Sequence, residues 1–220
     1  MNSKYKIPAA CVIAGCILVV SIVIILPREN LTFSWSVAIG DEFEFNVSAY
    51  GMIEDPPGYL VESIELSIIA NTTIVVTIDS LPSIDIKSEE KFLDAVFENK
   101  VSTRFSNGSD IPTNISSALN GLVSRFFMPV GNWNFLDSLF PDSPEDAGQL
   151  EFGCNTYLSQ LNNDSFFFGH RYYNVDAGSW WHGYISCSNG VPHVIVTASS
   201  SYHPSYVFYS WTFRLDLISD

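Results

Sequence analysis

Residues 206–218 read Tyr-Val-Phe-Tyr-Ser-Trp-Thr-Phe-Arg-Leu-Asp-Leu-Ile. Val207, Tyr209, Trp211, Phe213, Leu215 and Leu217 take every second place, and Ser210, Thr212, Arg214 and Asp216 fall between them. Successive side chains of a strand point to opposite faces, so this period of two predicts a strand buried on one face only.

The same signature extends upstream. Residues 151–161, 165–174, 180–188 and 192–200 read as strands separated by turns at Asn162 and Asn163, Asp176 to Gly178, Asn189 with Gly190, and His203 with Pro204. Asn-Gly is the strongest of these turns, because both residues accept positive φ. Near the start, Phe43, Phe45, Val47 and Ala49 alternate with Glu42, Glu44, Asn46 and Ser48 after a turn at Gly40 and Asp41, which predicts a hairpin over residues 35–50. Two further strands, over 60–70 and 73–80, would meet at Asn71 and Thr72.

Between these strand runs the period changes. Ser88 can cap a helix reaching about Lys100, with Phe92, Leu93, Val96 and Phe97 on one side. Thr113 or Asn114 can cap a second, with Ile115, Leu119, Leu122, Val123, Phe126 and Phe127 apolar, and a short turn of helix follows over 133–140. The expected fold is therefore mainly β with helices inserted over about residues 86–140. About nine antiparallel strands would form a curved sheet or incomplete barrel, covered by two or three helices. A two-sheet sandwich is the alternative, and the helical insertion argues against it.

The twenty residues 7–26 open with Ile7, close with Leu26 and carry no charge. As a helix they would cover roughly 30 Å, the thickness of a hydrocarbon core. A cleaved signal peptide would have a shorter apolar run and small residues before its cleavage site, whereas Ile24, Ile25, Leu26 and Pro27 are bulky or rigid. Ile13, Ala14, Gly15 and Cys16 resemble a lipobox, but ten uncharged residues, all apolar except Ser21, follow that cysteine. The expectation is an uncleaved transmembrane helix, with residues 1–6 as a cytoplasmic tip, 27–34 as a linker and 35–220 as one extracytoplasmic domain. Lys4 and Lys6 before the span set that orientation. Beyond the span stand eight basic residues and all 24 acidic ones, about −16 against a formal −14 for the whole chain, and such a surface repels nucleic acid.

An outer location exposes the Asn-x-Ser/Thr sites at Asn30, Asn46, Asn71, Asn107, Asn114 and Asn163 to glycosylation. It also favours a disulfide between Cys154 and Cys187. Strand register argues the other way: a turn at Asn162 and Asn163 puts the two cysteines roughly 20 Å apart. A turn centred on Asp176 would set His170 directly across from His182, a pair without a third ligand, so no metal site is expected. Asp137, Asp142, Glu145 and Asp146 could gather around calcium, but they lack the spacing of a binding loop and read as a solvated segment. No nucleophile motif or cofactor signature is present, so neither an enzyme nor a cofactor is expected. Aromatic residues are in excess on both faces of the late strands. Phe166, Phe168, Tyr172, Trp180, Tyr184 and Trp211 are the candidate ligand-binding residues.

The run from Trp35 through Val37, Gly40, Asp41, Phe43 and Phe45, just after an apolar segment, resembles the opening of uncharacterised archaeal surface-anchored proteins. That resemblance implies an envelope location and a β-rich architecture. Two functions are open: a tethered extracytoplasmic domain that binds a lipid or other apolar small molecule in its curved sheet, or a structural or interaction module that meets envelope proteins and has no ligand pocket.

Overall fold

The computed structural model describes residues 31–55, 59–62, 68–141, 154–173, 177–202 and 208–219. The expected span 7–26, Asn30, and the acidic residues 142–146 lie outside them. Among the described residues no helix is long and apolar enough to cross a membrane. The strands and helices all belong to one folded unit, Thr32–Asp220.

Nine strands form one antiparallel sheet: β1 (Glu42–Asp55), β2 (Tyr59–Glu62), β3 (Thr72–Ile78), β4 (Val101–Phe105), β5 (Cys154–Asn162), β6 (Ser165–Tyr173), β7 (Ala177–Ser186), β8 (Pro192–Tyr202) and β9 (Phe208–Ser219). Their spatial order is β4-β3-β1-β9-β8-β7-β6-β5, so the sheet is open, with β4 and β5 at its edges. Strand β1 is long enough to hold β3 along its first half, from Glu42 to Val47, and β2 along its second, from Met52 to Asp55. On its other side it pairs with β9, joining the two ends of the unit.

Three helices, α1 (Glu89–Phe97), α2 (Thr113–Ser124) and α3 (Trp133–Asp137), pack on one face of this curved sheet. Ring contacts fix which face. Phe92 of α1 meets Phe168 of β6 at 5.2 Å between centroids, Phe127 just after α2 meets Phe43 of β1 at 5.2 Å, and Trp133 of α3 meets Phe166 at 5.2 Å. Phe45, Ile74, Val76, Phe92, Phe126, Phe127, Leu136, Phe166, Phe168, Ile195 and Leu215 are all fully buried there. Each such side chain contributes roughly 1.5–3 kcal/mol relative to exposure, so this helix-to-sheet layer dominates stability.

Close approach is obtained with glycine. A Cβ on Gly183 of β7 would overlap the Phe126 ring, so only a bare backbone lets the end of α2 lie on the sheet. Gly190, at φ 70°, turns β7 into β8 and accepts a hydrogen bond from the Met128 N–H at 3.0 Å. The segment before β1 closes the same end, with Ser34 and Val130 exchanging backbone hydrogen bonds of 3.0 and 2.8 Å.

Several expectations change in detail. Residues 35–40 are not a strand of the sheet, so no hairpin precedes β1. The strand that keeps the total at nine is β4, which lies between the helices, in a stretch with no strand alternation of its own. Helix α1 starts at its expected cap, Ser88, whose side chain accepts from the Lys91 N–H, but it ends at Phe97. Lys100 lies beyond it and turns back. Its ammonium, with no solvent exposure, donates to the carbonyls of Ala95, Val96 and Glu98 at 2.8, 3.2 and 3.1 Å. It thereby satisfies carbonyls that a helix end otherwise leaves open. Helix α2 has Pro112 at its N-cap and no side-chain cap, so neither Thr113 nor Asn114 plays that part.

Candidate functional site

Cross-strand pairing sorts the helix-bearing face into rows running across the strands. One of them, row C, runs Ser159, Phe168, Gly183, Ile195, Leu215 and Val47, and every member is buried. Two residues further along the strands comes row A, with Tyr157, His170, Trp181, Thr197 and Phe213, all only half-buried. Row B lies beyond it: Asn155 and Tyr172, both exposed, then Ser179, Ser199 and Trp211, half-buried. The helical cover therefore stops at row A and leaves an aromatic and hydroxylated floor open to solvent.

Arg125, at the C-cap of α2, marks the limit of the cover. Its guanidinium carbon lies 5.1 Å from the centre of the Phe97 ring and 5.0 Å from that of Trp181, and those two rings stand at 89° to each other. The cation sits in the corner they form, held by the negative ring faces without spending its N–H donors. Burial lowers its pKa, with the Tyr157 hydroxyl acting in the opposite sense. Position at a helix C-terminus also favours a cation.

Around it, Tyr157 and His170 rings are 4.6 Å apart, and His170 stacks on Trp181 at 5.6 Å and 24°. The His170 Nε2–H donates to Asn155 Oδ1 at 2.6 Å. Burial, then the nearby Arg125 charge, lower the His170 pKa, so the ring is neutral at pH 7. Burial likewise raises the Tyr157 pKa, partly offset by Arg125. The cluster thus offers one permanent cation, a neutral imidazole, a phenol and an amide beside exposed ring faces. These groups can stack on and hydrogen-bond to a polar ligand, and the cation can meet an anionic group.

The sequence candidates divide between three places. Phe166 and Phe168 belong to the core and are fully buried. Tyr172 and Trp211 stand on row B, and Trp211 meets Phe213 edge-on at 5.5 Å. Trp180 and Tyr184 are on the opposite face, where Trp180 stacks on His182 at 5.1 Å and 7°, and Phe167 lies 5.4 Å from Tyr184. The six do not make one site. Sequence reasoning missed Arg125, Phe97, Tyr157, Trp181 and Phe213; the alternation of β9 already placed Phe213 beside Trp211.

His170 pairs with Trp181 and His182 with Gly169. The expected register was off by one residue, and a one-residue slip exchanges faces, so the two histidines stand on opposite sides of the sheet. The cysteine question is settled by register. Cys154 pairs with Tyr173 at one end of β6, while the Cys187 N–H donates to Asp164 O at the other, and Cys187 is a free thiol. Eight residues at ~3.3 Å put them roughly 26 Å apart along the strand, so the disulfide expected from compartment does not form. Asn46, Asn71, Asn107, Asn114 and Asn163 are all exposed.

Neither a protein-family model nor a curated protein matches the chain. Among solved structures it is similar to a single-substitution mutant of the vaccine antigen Transferrin Binding Protein B from Haemophilus parasuis Hp5. The TM-score is 0.25 and the identity 8%, over 86% of this chain and 29% of that one. It is also similar to the isotype 1 Transferrin binding protein B from serogroup B Neisseria meningitidis, at a TM-score of 0.26 and 9% identity, over 83% of this chain and 27% of that one. The chain thus spans less than a third of either protein.

Proposed function

We propose that the chain is an extracytoplasmic recognition module, tethered by residues 7–26, that binds a polar ligand on rows A and B. The observation that carries this reading is the fall in burial across three successive rows: row C is sealed under the helices, row A is half-buried, and four residues along the strands from row C, Tyr172 and Asn155 are exposed. Trp, Tyr and Arg gathered along it are the residue types that dominate binding energetics. The tether rests on the length and apolarity of residues 7–26, and the five exposed sequons fit an outward-facing surface.

An apolar ligand held between sheet and helices is the less favoured reading. Phe92, Phe126, Phe127, Leu136, Phe166 and Phe168 occupy that space with 0% exposure each. A purely structural module accounts for the packing of Tyr157, Trp181 and Phe213 against the core, but it gives no reason for an exposed Tyr172 beside them.

The test is titration of the full-length protein in detergent with soluble neutral and acidic oligosaccharides, peptides and short-chain lipids, reading tryptophan fluorescence. A saturable response to a polar probe, abolished by Trp211→Ser, is expected. Saturation only by lipids, or responses that Trp211→Ser leaves unchanged, would sink the reading.

A further inference from the structure

We infer that rows A and B take a carboxylated saccharide, its sugar ring lying along row B and its carboxylate against the free edge of the Arg125 guanidinium. This rests on the reading of those rows as a recognition surface, and it names the ligand class.

Charge is the first argument. The chain holds 24 acidic residues against 10 basic ones, and Lys87, Lys91, Arg104 and Arg214 each sit on a carboxylate. Arg125 does not. Among the described residues no carboxylate lies within 4.0 Å of it, and its neighbours are Phe97, Trp181, Tyr157 and His170. Lys100 and Arg171 also lack a carboxylate partner among the described residues, but Lys100 is spent on carbonyls and Arg171 is on the other face. Glu89 is near enough to act on Tyr157, yet no acid of the described residues pairs with the Arg125 guanidinium set among the rings. A planar fork of N–H donors in that setting matches a carboxylate, which it can grip through two parallel hydrogen bonds. A cationic ligand would be repelled.

Composition of the floor supplies the second argument. Row B sets Tyr172 between Asn155 and Ser179, followed by Ser199 and Trp211, and row A adds Thr197 between Trp181 and Phe213. Asn155 Oδ1 already accepts from His170 and Thr197 Oγ1 donates to the Trp180 carbonyl, but an acyl chain laid there would bury the Ser179 and Ser199 hydroxyls and the Asn155 N–H donors against hydrocarbon, at a cost for each. A sugar ring presents C–H groups to the aromatic faces and hydroxyls to Asn155, Ser179 and Ser199. The polar side chains then keep their partners while the rings lose water.

The experiment compares a glucuronate-containing disaccharide with the neutral glucose disaccharide of the same linkage, using full-length protein in detergent. An acidic peptide and inorganic phosphate serve as further probes. The acidic sugar is expected to bind about tenfold or more tightly than the neutral one, the size of one charged bidentate contact. Arg125→Gln should bring that ratio close to one, and Arg125→Lys should restore part of it. Asn155→Leu, at an exposed position whose side chain also holds His170, should weaken both sugars.

Equal binding of the two sugars, or a ratio that survives Arg125→Gln, overturns the carboxylate assignment while leaving the recognition surface standing. Arg125-dependent binding of the peptide or of phosphate, with neither sugar bound, overturns the saccharide. No response to any probe overturns the surface itself.

Discussion

The Lys100 ammonium donates to the Ala95 carbonyl at 2.8 Å from a site with no solvent exposure, so a charged group inside the core closes the end of a helix. Burial pushes its pKa down to about 7, against a smaller opposing effect of Glu98. The unfolded chain would hold that proton up to about pH 10.4. Between about pH 7 and 10 the unfolded state binds more protons than the folded one, so this group adds stability as pH rises and its full cost stands below pH 7. Wild type should therefore gain on Lys100→Met by up to a few kcal/mol between pH 7 and 10, read from paired urea unfolding curves. A constant difference across that window would refute the assignment.

Gly183→Ala places a methyl group against the Phe126 ring. The ring cannot retreat, because it is itself fully buried and meets Trp181 at 5.6 Å. Overpacking of this kind costs about 1–3 kcal/mol. Chemical denaturation should show that loss, together with a change in the near-ultraviolet signal of Trp181.

Phe92 is fully buried and touches both Phe140 and Phe168, at 5.8 and 5.2 Å. Phe92→Ala should cost about 3–5 kcal/mol, since it removes the ring that ties α1 to the sheet. Phe97→Ala, at the exposed end of the same helix, should cost far less. Comparison of the two melting temperatures checks the placement of the core.

Cys187 should react with a maleimide in the native protein without prior reduction, and Cys154→Ser should not change its yield. Burial and the neighbouring Asp164 raise its pKa, so the reaction should be slow at pH 7 and faster as pH rises. Labelling that appears only after reduction would restore the disulfide.

Trp180 and Trp211 belong to opposite faces. Trp180→Ser should leave ligand titrations of row B unchanged, whereas Trp211→Ser should abolish them. Equal loss in both variants would mean the two faces share the function.

Much of this fold could be read in the chain because its strands announce themselves locally. The alternation in β9, the turn at Asn189 and Gly190, and the Ser88 cap all act within a few residues. Strand β4 was hidden because Val-Ser-Thr-Arg-Phe is short and stabilised by its partner β3, not by its own pattern. The pairing of β1 with β9 joins residues about 170 positions apart, as in Glu44 with Ser219, and no local signal encodes it.

The site was less legible for a related reason. Aromatic excess drew attention to Phe166, Phe168, Trp180 and Tyr184, yet which face a ring occupies depends on register, and register turned on a single residue in the turn between β6 and β7. Arg125 comes from a helix terminus and meets Trp181 only in three dimensions.

The pairing of Glu44 with Ser219 brings the entry and exit of the folded unit to one end of its strands, while Gly51, opposite Trp211, lies some nine residues along β1. At ~3.3 Å per residue, about 30 Å separates the point where the chain enters from the rows that would hold a ligand. A pull between tether and ligand would then run lengthwise through β1 and β9. Antiparallel ladders loaded in that direction share the force over many hydrogen bonds at once instead of opening them one by one. Under the proposed tether, the β1–β9 ladder would carry that load as one unit.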